Sequence, residues 1–543
     1  MFKRVFAAII TLVMVLTLFS SCSSGEGEDL YYPIYSDPVS FDPQIASDNA
    51  SKIVVFNCFE GLVRLDKDGK IVSGVAKSWE ISPDGTVYTF HLKQNAKWYM
   101  SEYAKELLDE KTAAEFKYNV IADDFVYGLQ RAFDKNMGAS TDTRLFAIRN
   151  AYEVYDGEKS PEELGVTAIN DTTLQIELDE ASDDFLKALT QTAAMPCRKE
   201  FFEATKGRYG LDPEKVIYNG PFYLYSWTTG VNLSLHKNEN YSESATVSPS
   251  IVYLYVNDDL QTRVDKLSNG TYDACPLTVS QKNAVDNDKV SYINYNNSTW
   301  GFAFNCSSET MKNRDLRSAL TTALDVSSIP LPEHCKSYAN GIVPDICLIG
   351  NAVYRGYAGK KTYPASNPSK AKVHLEKAFK ALEMDNITIN IICHQDFDDS
   401  VKIAVQKWQS TFGIEVNFVI EKLDEMALEK RVSNGEYDVA FTRINAQSDS
   451  ASAFLGMFTT SGKNNIFFMK SKTYDALMGA KAEHMNQQEI ISNCIQAEEY
   501  LISRSVVIPV FADNSYMAMA KNVSGVYAIE AGTIPIFKDG MRK

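Results

Sequence analysis

The stretch from Asn386 to Leu455 constrains the fold of this chain most, because its hydrophobic period switches repeatedly between about two and about 3.6 residues. Apolar runs alternate with amphipathic segments, in the order 387–393, 397–411, 414–419, 423–432 and 437–443. This order predicts strand–helix–strand–helix–strand, and helices between strands imply a parallel sheet with right-handed crossovers. Ligands of such sheets bind beyond the carboxyl ends of the strands. The segment 443–449 is therefore a candidate ligand contact, and the alternative is an ordinary surface loop.

The size and charge of the chain limit the class of protein. A chain of 543 residues is long enough for about two to four folding units. Its 54 Lys and Arg residues against 70 Asp and Glu residues give a net charge of −16, and no basic cluster is present, which argues against nucleic-acid binding. The 29 tyrosines suit a wet binding surface, because each offers an apolar ring and a hydroxyl.

The cysteine and histidine patterns predict neither a metal site nor a cofactor. None of the nine cysteines forms a CxxC pair, and the six histidines are scattered without an HExxH motif. Cys58, Cys393 and Cys494 lie within apolar patterns and are predicted to be buried thiols. Cys335 and Cys347 are close enough in sequence to close a short loop, but spacing alone does not decide the connectivity.

Residues 1–21 are predicted to be a lipoprotein signal peptide. A positive start precedes the apolar stretch Val5–Phe19, which is too short for a good membrane span, and small residues precede Cys22. This arrangement resembles a bacterial lipobox, apart from Phe19, and implies that Cys22 is diacylated and begins an acidic tether over residues 22–29. The protein would then be lipid-anchored to the outer face of the bacterial cell membrane. The alternative is a plain secretory signal with a stray cysteine.

Short blocks along most of the chain resemble one known family. They read FEGL at 59–62, VAKSWE at 75–80, PDGTVYTFHLK at 83–93, NAKW at 95–98, ADDFVY at 122–127, YNGPF at 218–222, GEYDVA at 435–440 and SAFL at 452–455. Together and in this order they are similar to the extracytoplasmic solute-binding proteins of family 5, the peptide and nickel type, which include the oligopeptide-binding proteins of ABC importers. Residues 99–120 depart from the family pattern by inserting a charged segment, which is expected to be a solvated surface insertion.

The resemblance implies an α/β fold of the periplasmic-binding-protein type, class II, with two lobes that close on a ligand and an extra domain. It implies two hinge strands that cross between the lobes, near 297–299 and near 509–511. A helix over 487–502 is expected to pack on the sheet of the second lobe. The expected divisions are a first lobe of 30–60, 190–297 and 511–543, an extra domain of 61–189 and a second lobe of 298–510.

The resemblance also implies where a ligand is held. Proteins of this type bind the ligand backbone as an added strand between the lobes, so that main-chain hydrogen bonds supply the affinity. Asn219 and Trp300 are weaker candidates, the first in a turn that faces the cleft and the second at the start of the second lobe. The gripping residues map to Ser47, Asp48 and Asn49 in the first lobe and to Arg443, Ile444 and Asn445 in the second.

The predicted cleft departs from the family in its charges. The aspartate that normally anchors a peptide amino group is Gln447 here, and Asp449, two residues later, is the alternative anchor. Arg443 is a cation where the family has a small residue, which favours an acidic or uncharged ligand unless Arg443 pairs with a neighbouring carboxylate. The cysteine often present in this segment is Asn445 and its usual partner is Ser298, so that disulfide is absent.

The resemblance predicts a binding protein rather than an enzyme. GxSxG, GxGxxG and GxxxxGK[ST] motifs are absent, and the adjacent carboxylates Asp123–Asp124 and Asp183–Asp184 are typical of helix starts. We therefore expect a monomer that delivers oligopeptides or a related small solute to ABC permease and ATPase subunits and uses no cofactor. The alternatives are a peptide or pheromone sensor and a binder of a non-peptide ligand such as an oligosaccharide.

Overall fold

The computed structural model describes residues 28–543 apart from short gaps. The gaps are 140, 142, 183, 258, 278, 283, 286–287, 333–334, 351, 361–365, 447–448, 463, 479–486 and 530. The predicted signal peptide, Cys22 and Gln447 therefore lie outside the described residues. Within the described residues, two four-stranded sheets and one seven-stranded sheet carry the fold.

The strand–helix–strand–helix–strand unit predicted from the periodicity is present. We label its elements β1 (Ile387–His394), α1 (Asp398–Phe412), β2 (Val416–Leu423), α2 (Glu425–Ser433) and β3 (Val439–Asn445). β1 pairs in parallel with both β2 and β3, as the prediction required. Gly413 ends α1 with a backbone φ of +64°, which glycine adopts without strain. The Asp424 carboxylate caps α2 by accepting a hydrogen bond from the Ala427 N–H.

Helices pack on both faces of this unit and bury most of β3 and the second half of β1, whereas β2 stays largely exposed at the edge of the sheet. α1 packs on the face that carries Ile391 and Phe441, and α2 packs on the opposite face against Ile392 and Ala440. Trp408 of α1 is fully buried, and its indole N–H donates to a main-chain carbonyl oxygen at 2.8 Å. Burying an aromatic side chain of this size stabilises the fold by roughly 3 kcal/mol.

Two long antiparallel strands run through both predicted hinge positions. We call Val290–Phe304 and Val507–Ala520 the hinge strands, and they pair along most of their length within the seven-stranded sheet. Their register shifts between Tyr295 and Ser298 and again between Trp300 and Gly301. Such irregularities bend and twist a strand pair, so the bend lies where the lobes meet.

Each four-stranded sheet falls within one predicted division of the chain, whereas the seven-stranded sheet, which we call the second-lobe sheet after β1, β2 and β3, also takes in strands of the predicted first lobe. The domain boundaries stay a prediction. The first-lobe sheet has the strand order Leu30–Ile34, Ile251–Val256, Asn232–Lys237 and Phe222–Thr228. The extra-domain sheet has the order Ala76–Ile81, Val87–Leu92, Thr173–Glu177 and Val166–Asn170. The second-lobe sheet contains β1, β2, β3 and both hinge strands, with Ala274–Leu277 at one edge and Ser337–Tyr338 beside the second hinge strand.

The remaining elements connect and cover these sheets. Two-stranded ladders pair Val63–Leu65 with Ile71–Ser73, Leu348–Ile349 with Ala352–Val353, Val523–Ser524 with Met541–Arg542 and Tyr527–Ile529 with Ile534–Ile536. Further helices are Asn49–Cys58, Glu102–Lys105, Glu110–Glu115, Ala122–Ala132, Ala151–Asp156, Phe185–Ala188, Lys199–Ala204, Leu260–Ser268, Val279–Lys282, Arg314–Ala323, Tyr354–Ala358, Pro368–Leu382, Ala451–Gly456, Lys472–Met478 and Gln487–Ser503. Across the described part of the chain, every helix is too short or too polar to cross a membrane.

The helix predicted over 487–502 is present as Gln487–Ser503. Cys494, Ala497 and Leu501 are buried on one stripe, as the pattern predicted. This stripe belongs to a hydrophobic cluster that includes Ile444 of β3 and Val507 of the second hinge strand, as well as residues of neighbouring helices. The packing on the sheet was therefore predicted correctly, and the helices that share the cluster were not predicted, because periodicity indicates which face is buried but not everything that covers it.

The cysteines of the described residues are free thiols. Cys58, Cys393 and Cys494 are at most 1% exposed, which confirms the prediction of buried thiols. Burial raises the pKa of each of these three thiols, so the neutral and less reactive form is favoured. Cys335 and Cys347 do not form the disulfide that their spacing left open.

An ion-pair network around Glu243 joins the first lobe to the extra domain. The Glu243 carboxylate accepts from Lys93 of the extra domain and from Lys538 near the C-terminus, each at 2.7 Å. Burial favours the neutral form of Glu243, but the two ammonium groups outweigh burial and lower its pKa to about 2. A lowered carboxylate pKa stabilises the folded state above the ordinary value of 4.5, and this stabilisation is lost as the pH falls toward 2.

Glu243→Gln should therefore lower the free energy of unfolding, measured by urea denaturation, by about 2 kcal/mol at neutral pH. The loss should become smaller as the pH falls, because the wild-type carboxylate is then protonated too. Glu239→Gln is the matched control, because its carboxylate is exposed and lies 3.9 Å from Lys237. The control should change the free energy of unfolding by less than about 0.5 kcal/mol. A loss in Glu243→Gln that is equal at neutral and at strongly acid pH would contradict the ion-pair explanation.

Candidate functional site

The carboxyl edge of the parallel strands is the candidate ligand site, because part of the β3 edge is unpaired there. On one side, β3 pairs with the first hinge strand from Val439 to Asn445. On the other side, it pairs with β1 only from Val439 to Phe441. Residues 442–445 therefore have no strand partner on that side among the described residues. An extended ligand backbone fits such an edge.

The direction of the open main-chain groups follows from the pairing. The Ala446 N–H donates to the Asn297 carbonyl oxygen at 2.9 Å, on the hinge-strand side. Neighbouring residues of a strand point their N–H and C=O groups to opposite edges. The main-chain groups of Ile444 therefore also face the hinge strand, whereas those of Arg443 and Asn445 face the open edge.

The Arg443 side chain is neutralised by an acidic helix. Its Nη2 atom forms an ion pair with Glu425 in the first turn of α2, and Glu429 lies one turn further along. Burial would lower the pKa of Arg443, but the carboxylates of Glu425, Glu429 and Asp513 outweigh burial and raise it above its usual value. The expectation of an acidic or uncharged ligand assumed a free cation here, and the structure instead shows the stated alternative, in which Arg443 pairs with a neighbouring carboxylate.

Trp300 is part of the core beneath the site. Its side chain is 6% exposed, and its ring centroid lies 4.2 Å from that of Phe397. The Trp300 indole N–H donates to the Asp513 carboxylate at 2.8 Å. Trp300 therefore satisfies a buried carboxylate that acts on Arg443, and its ligand contact stays a prediction.

Tyr35 of the predicted first lobe lies near the Arg443–Glu425 ion pair. Tyr35 directly follows the strand Leu30–Ile34, and its side chain is 43% exposed. Burial raises the pKa of Tyr35 to about 12; Arg263 and Arg443 oppose this rise and Glu425 adds to it. Charges on α2 and β3 therefore act on this tyrosine. The Arg263 guanidinium lies 3.7 Å from the centre of the Tyr35 ring.

The predicted first-lobe segment Ser47–Asn49 forms the start of a helix. The Asp48 carboxylate caps this helix by accepting from the Ser51 N–H at 2.9 Å and from the Ser51 hydroxyl at 2.5 Å. The Asn49 side chain donates to the Thr533 carbonyl oxygen at 3.2 Å, and Ser47 is exposed. The hydrogen bonds of this segment, among described residues, stay within the predicted first lobe, and its ligand contact stays a prediction.

Asn219 fixes a turn of the first lobe to the segment that follows a helix. It is 3% exposed. Its side-chain oxygen accepts from the Glu60 N–H at 3.1 Å, and its side-chain amide donates to the Glu60 carbonyl oxygen at 2.8 Å. The oxygen and the nitrogen of the Asn219 side chain are therefore both bonded to the main chain of Glu60. A contact between Asn219 and a ligand stays a prediction.

Asp449 is bonded to the extra domain instead of standing free for a ligand amine. The Lys187 ammonium lies 2.6 Å from Asp449 Oδ2, and the two side chains are 13% and 30% exposed. Nearby, the Gly350 N–H donates to Asp184 Oδ2 at 3.3 Å. Both contacts join one short stretch of the extra domain to the second lobe. Asp449 is therefore paired in this arrangement, its role as the alternative amino-group anchor stays a prediction, and Gln447 lies outside the described residues.

The position of the family's disulfide holds a polar pair. Ser298 and Asn445 lie opposite each other on the first hinge strand and β3. The Ser298 hydroxyl lies 2.9 Å from the Asn445 side-chain oxygen, at hydrogen-bonding distance. The two positions paired by the resemblance are therefore neighbours in space, and their contact holds the end of β3 on the hinge strand beside the open edge.

Sequence reasoning missed the acidic half of the site. Glu425 and Glu429 lie on a helix that begins directly after β2, so the rule that indicated the segment after β3 applied equally to this segment. Tyr35, Arg263 and Asp513 come from distant parts of the chain, and no local pattern marks them as neighbours of β3.

Comparison with known proteins supports the architecture. The sequence model of the bacterial extracellular solute-binding proteins, family 5 Middle, matches residues 70–466. The dipeptide-binding protein DppE of Bacillus subtilis (strain 168) is 26% identical over 529 residues, with 95% of this chain and 92% of that protein covered. The structure of Listeria monocytogenes OppA bound to peptide has a TM-score of 0.76 and 24% identity, with 96% of this chain and 100% of that chain covered. The substrate-binding domain of an oligopeptide ABC transporter from Bacillus anthracis str. Ames also has a TM-score of 0.76 and 24% identity, with 95% and 98% covered. These likenesses confirm the two-lobed α/β fold.

Removing the Lys187–Asp449 ion pair should loosen the arrangement of the lobes seen here. The pair joins the extra domain to the second lobe and is mostly shielded from water. Lys187→Met is therefore expected to shift the closing equilibrium by roughly five-fold toward the open state. The readout is an increased radius of gyration of the ligand-free chain in small-angle X-ray scattering.

Lys67→Met, at an exposed position of the extra domain, is the control and should leave the radius of gyration unchanged. Asp449→Asn should act like Lys187→Met, and the double variant should be no more open than either single variant, because all three lack the same interaction. If the two single variants both keep the radius of the wild type, the ion pair does not hold the lobes together.

Proposed function

Because the chain belongs to the bacterial extracellular solute-binding proteins of family 5, we propose that it is the substrate-binding subunit of an ABC importer for oligopeptides. It captures the peptide between its lobes, closes on it and delivers it to the permease, which the ATPase subunits power. Two of the similar proteins support this ligand class, since DppE is a dipeptide-binding protein and the Listeria OppA structure holds a peptide. No step changes the ligand chemically, so the chain acts as a binding protein and not as an enzyme.

The open edge of β3 is the observation that carries the peptide assignment. The main-chain groups of Arg443 and Asn445 face this edge, and Tyr35 of the predicted first lobe lies near the Arg443–Glu425 ion pair. A peptide backbone repeats donors and acceptors at the spacing of a strand, so it can continue the sheet at this edge. Main-chain hydrogen bonds do not depend on side chains, so peptides of many sequences can be accepted.

Closure by the hinge strands explains how the peptide is retained. The hinge strands cross between the lobes, and their bulges allow a change of angle there. A peptide on β3 that also touches the first lobe contacts both walls only in the closed state. Peptide binding therefore shifts the population toward the closed state, because the peptide binds that state more tightly than the open state.

The protein acts as a monomer on the outer face of the bacterial cell membrane. Cys22 carries the lipid anchor after removal of residues 1–21, and residues 22–29 form the tether. The anchor keeps the binding protein close to its permease. The predicted lobes and extra domain, with the boundaries given above, are the parts that move relative to one another.

Blocking the main-chain donor of Asn445 should weaken peptide binding without unfolding the chain. Proline lacks an N–H, and Asn445 directs its N–H to the open edge and not to the hinge strand. Asn445→Pro is therefore expected to weaken binding by roughly ten-fold, the loss of about one hydrogen bond. The measurement is titration calorimetry with the peptide that mass spectrometry identifies in the purified wild-type protein.

Asn445→Ala is the matched control, because it removes the side-chain contact with Ser298 but keeps the main-chain N–H. It should weaken binding by less than about three-fold. Equal losses in the alanine and proline variants would contradict the backbone mode of binding. Co-purified molecules that include no peptide would contradict the proposed ligand class.

A further inference from the structure

The carboxylates around the open edge mostly have partners within the protein. Glu425 is paired with Arg443, Asp449 is paired with Lys187, and Asp513 accepts from an indole N–H. A ligand amine that bound to any of these three carboxylates would have to displace or share an existing donor. None of them is therefore an open acceptor for a ligand in this arrangement.

Glu429 differs from these three carboxylates. It is exposed, and it forms no hydrogen bond or ion pair with another described residue. It lies one helical turn after Glu425 on α2, so the two side chains project from the same side of the helix. Desolvation by the neighbouring protein raises the pKa of Glu429 although part of its side chain is in contact with solvent; Arg443 opposes this rise and Glu425 adds to it.

One guanidinium lies near two carboxylates at this wall of the cleft and is paired with one of them. Arg443 carries one positive charge, whereas Glu425 and Glu429 together carry two negative charges when ionised. The uncompensated charge next to the open edge is therefore negative. A cation from the ligand would relieve the repulsion between the two carboxylates, and an anion would increase it. This is the opposite of the ligand charge expected from Arg443 alone.

The surroundings of Tyr35 are compatible with a cation. The Arg263 guanidinium lies over the Tyr35 ring at 3.7 Å from its centre, so a ligand cation would contact the part of the ring that stays exposed. Arg263, the nearby positive charge, is 1% exposed and donates to the Asn257 carbonyl oxygen. Because the Tyr35 ring is partly accessible and the Arg263 side chain is not, the exposed surface here is the ring.

We propose that Glu429 selects ligands that carry a basic side chain, lysine or arginine, beside the backbone bound at β3. The proposal rests on the peptide-binding function proposed above and adds the charge that the cleft prefers. Glu429 is the acceptor of the basic group. The Arg443–Glu425 pair is a positioning element that fixes the first turn of α2 and so holds Glu429 beside the open edge.

The test is titration calorimetry with alanine pentapeptides in which one position at a time is lysine, norleucine or glutamate. In the wild type, a lysine peptide at the matching position should bind roughly ten-fold more tightly than its norleucine counterpart, and the glutamate peptide should bind most weakly. In Glu429→Gln, the ratio of lysine to norleucine affinity should fall below about two-fold. Glu376→Gln, at an exposed carboxylate of the helix Pro368–Leu382, is the matched control and should keep the wild-type ratio.

Two further arms sharpen the assignment. Peptides with acetylated amino ends lack the free amine, so a lysine preference that survives acetylation supports selection of the side chain by Glu429, and a lysine preference that is lost on acetylation contradicts it. Glu429→Lys should reverse the preference in favour of glutamate peptides, which simple damage to the fold would not do.

The outcomes separate this proposal from the function on which it rests. If the pentapeptides bind the wild type with no charge preference, or if Glu429→Gln keeps the full preference for lysine, the role of Glu429 is overturned and peptide binding stands. If none of the pentapeptides, charged or neutral, binds the wild type, the proposed ligand class and the role of Glu429 are both overturned.

Discussion

The pairing of the two hinge strands is the constraint on which the rest of the structure depends. One ladder of main-chain hydrogen bonds continues from the first lobe into the second, so the position of each lobe follows from its register. The contact is close, because a side-chain carbon added at Gly301 would lie 2.5 Å from the Ile508 carbonyl oxygen. The same ladder places β3 on the first hinge strand and brings Asp513 of the second hinge strand near Arg443. The geometry of the cleft is therefore a consequence of how these two strands pair.

The charged pairs of the cleft differ in how they respond to opening. The Arg443–Glu425 pair lies within the β1–β3 unit, so both residues move together with that unit when the lobes open or close. We therefore expect this pair in the open and in the closed state. The Lys187–Asp449 pair joins two predicted divisions of the chain, so it exists only when those divisions meet. Both pairs satisfy groups that would be expensive to leave unpaired in a narrow gap. The first pair therefore defines the chemistry of the wall, and the second contributes to the balance between open and closed states.

The sequence predicted local structure well and long-range partnerships poorly. The periodicity from 386 to 445 predicted all five elements of the β1–β3 unit, because an amphipathic pattern is a local property. The resemblance supplied the hinge strands and the Ser298–Asn445 neighbours, which local reasoning could not provide. The partners of Arg443 and Asp449 were not predicted by either route, since they depend on where the first turn of α2 and a short helix of the extra domain come to lie in space. A charged residue in a predicted site therefore indicates the charge of the ligand only after the residue's own ion-pair partner is known.

Recognition in such a cleft combines two contributions that depend differently on the ligand. Main-chain hydrogen bonds at the open edge of β3 are available to any peptide, so they supply affinity with little selectivity. An uncompensated carboxylate attracts cationic ligands and repels anionic ones, and salt weakens both effects. The Arg443–Glu425 pair links the two contributions, because Arg443 offers its backbone to the open edge while its side chain holds the helix that carries Glu429. The ion pair that withdraws Arg443 from the ligand is therefore also what pre-organises the neighbouring carboxylate, and pre-organisation reduces the entropy lost on binding.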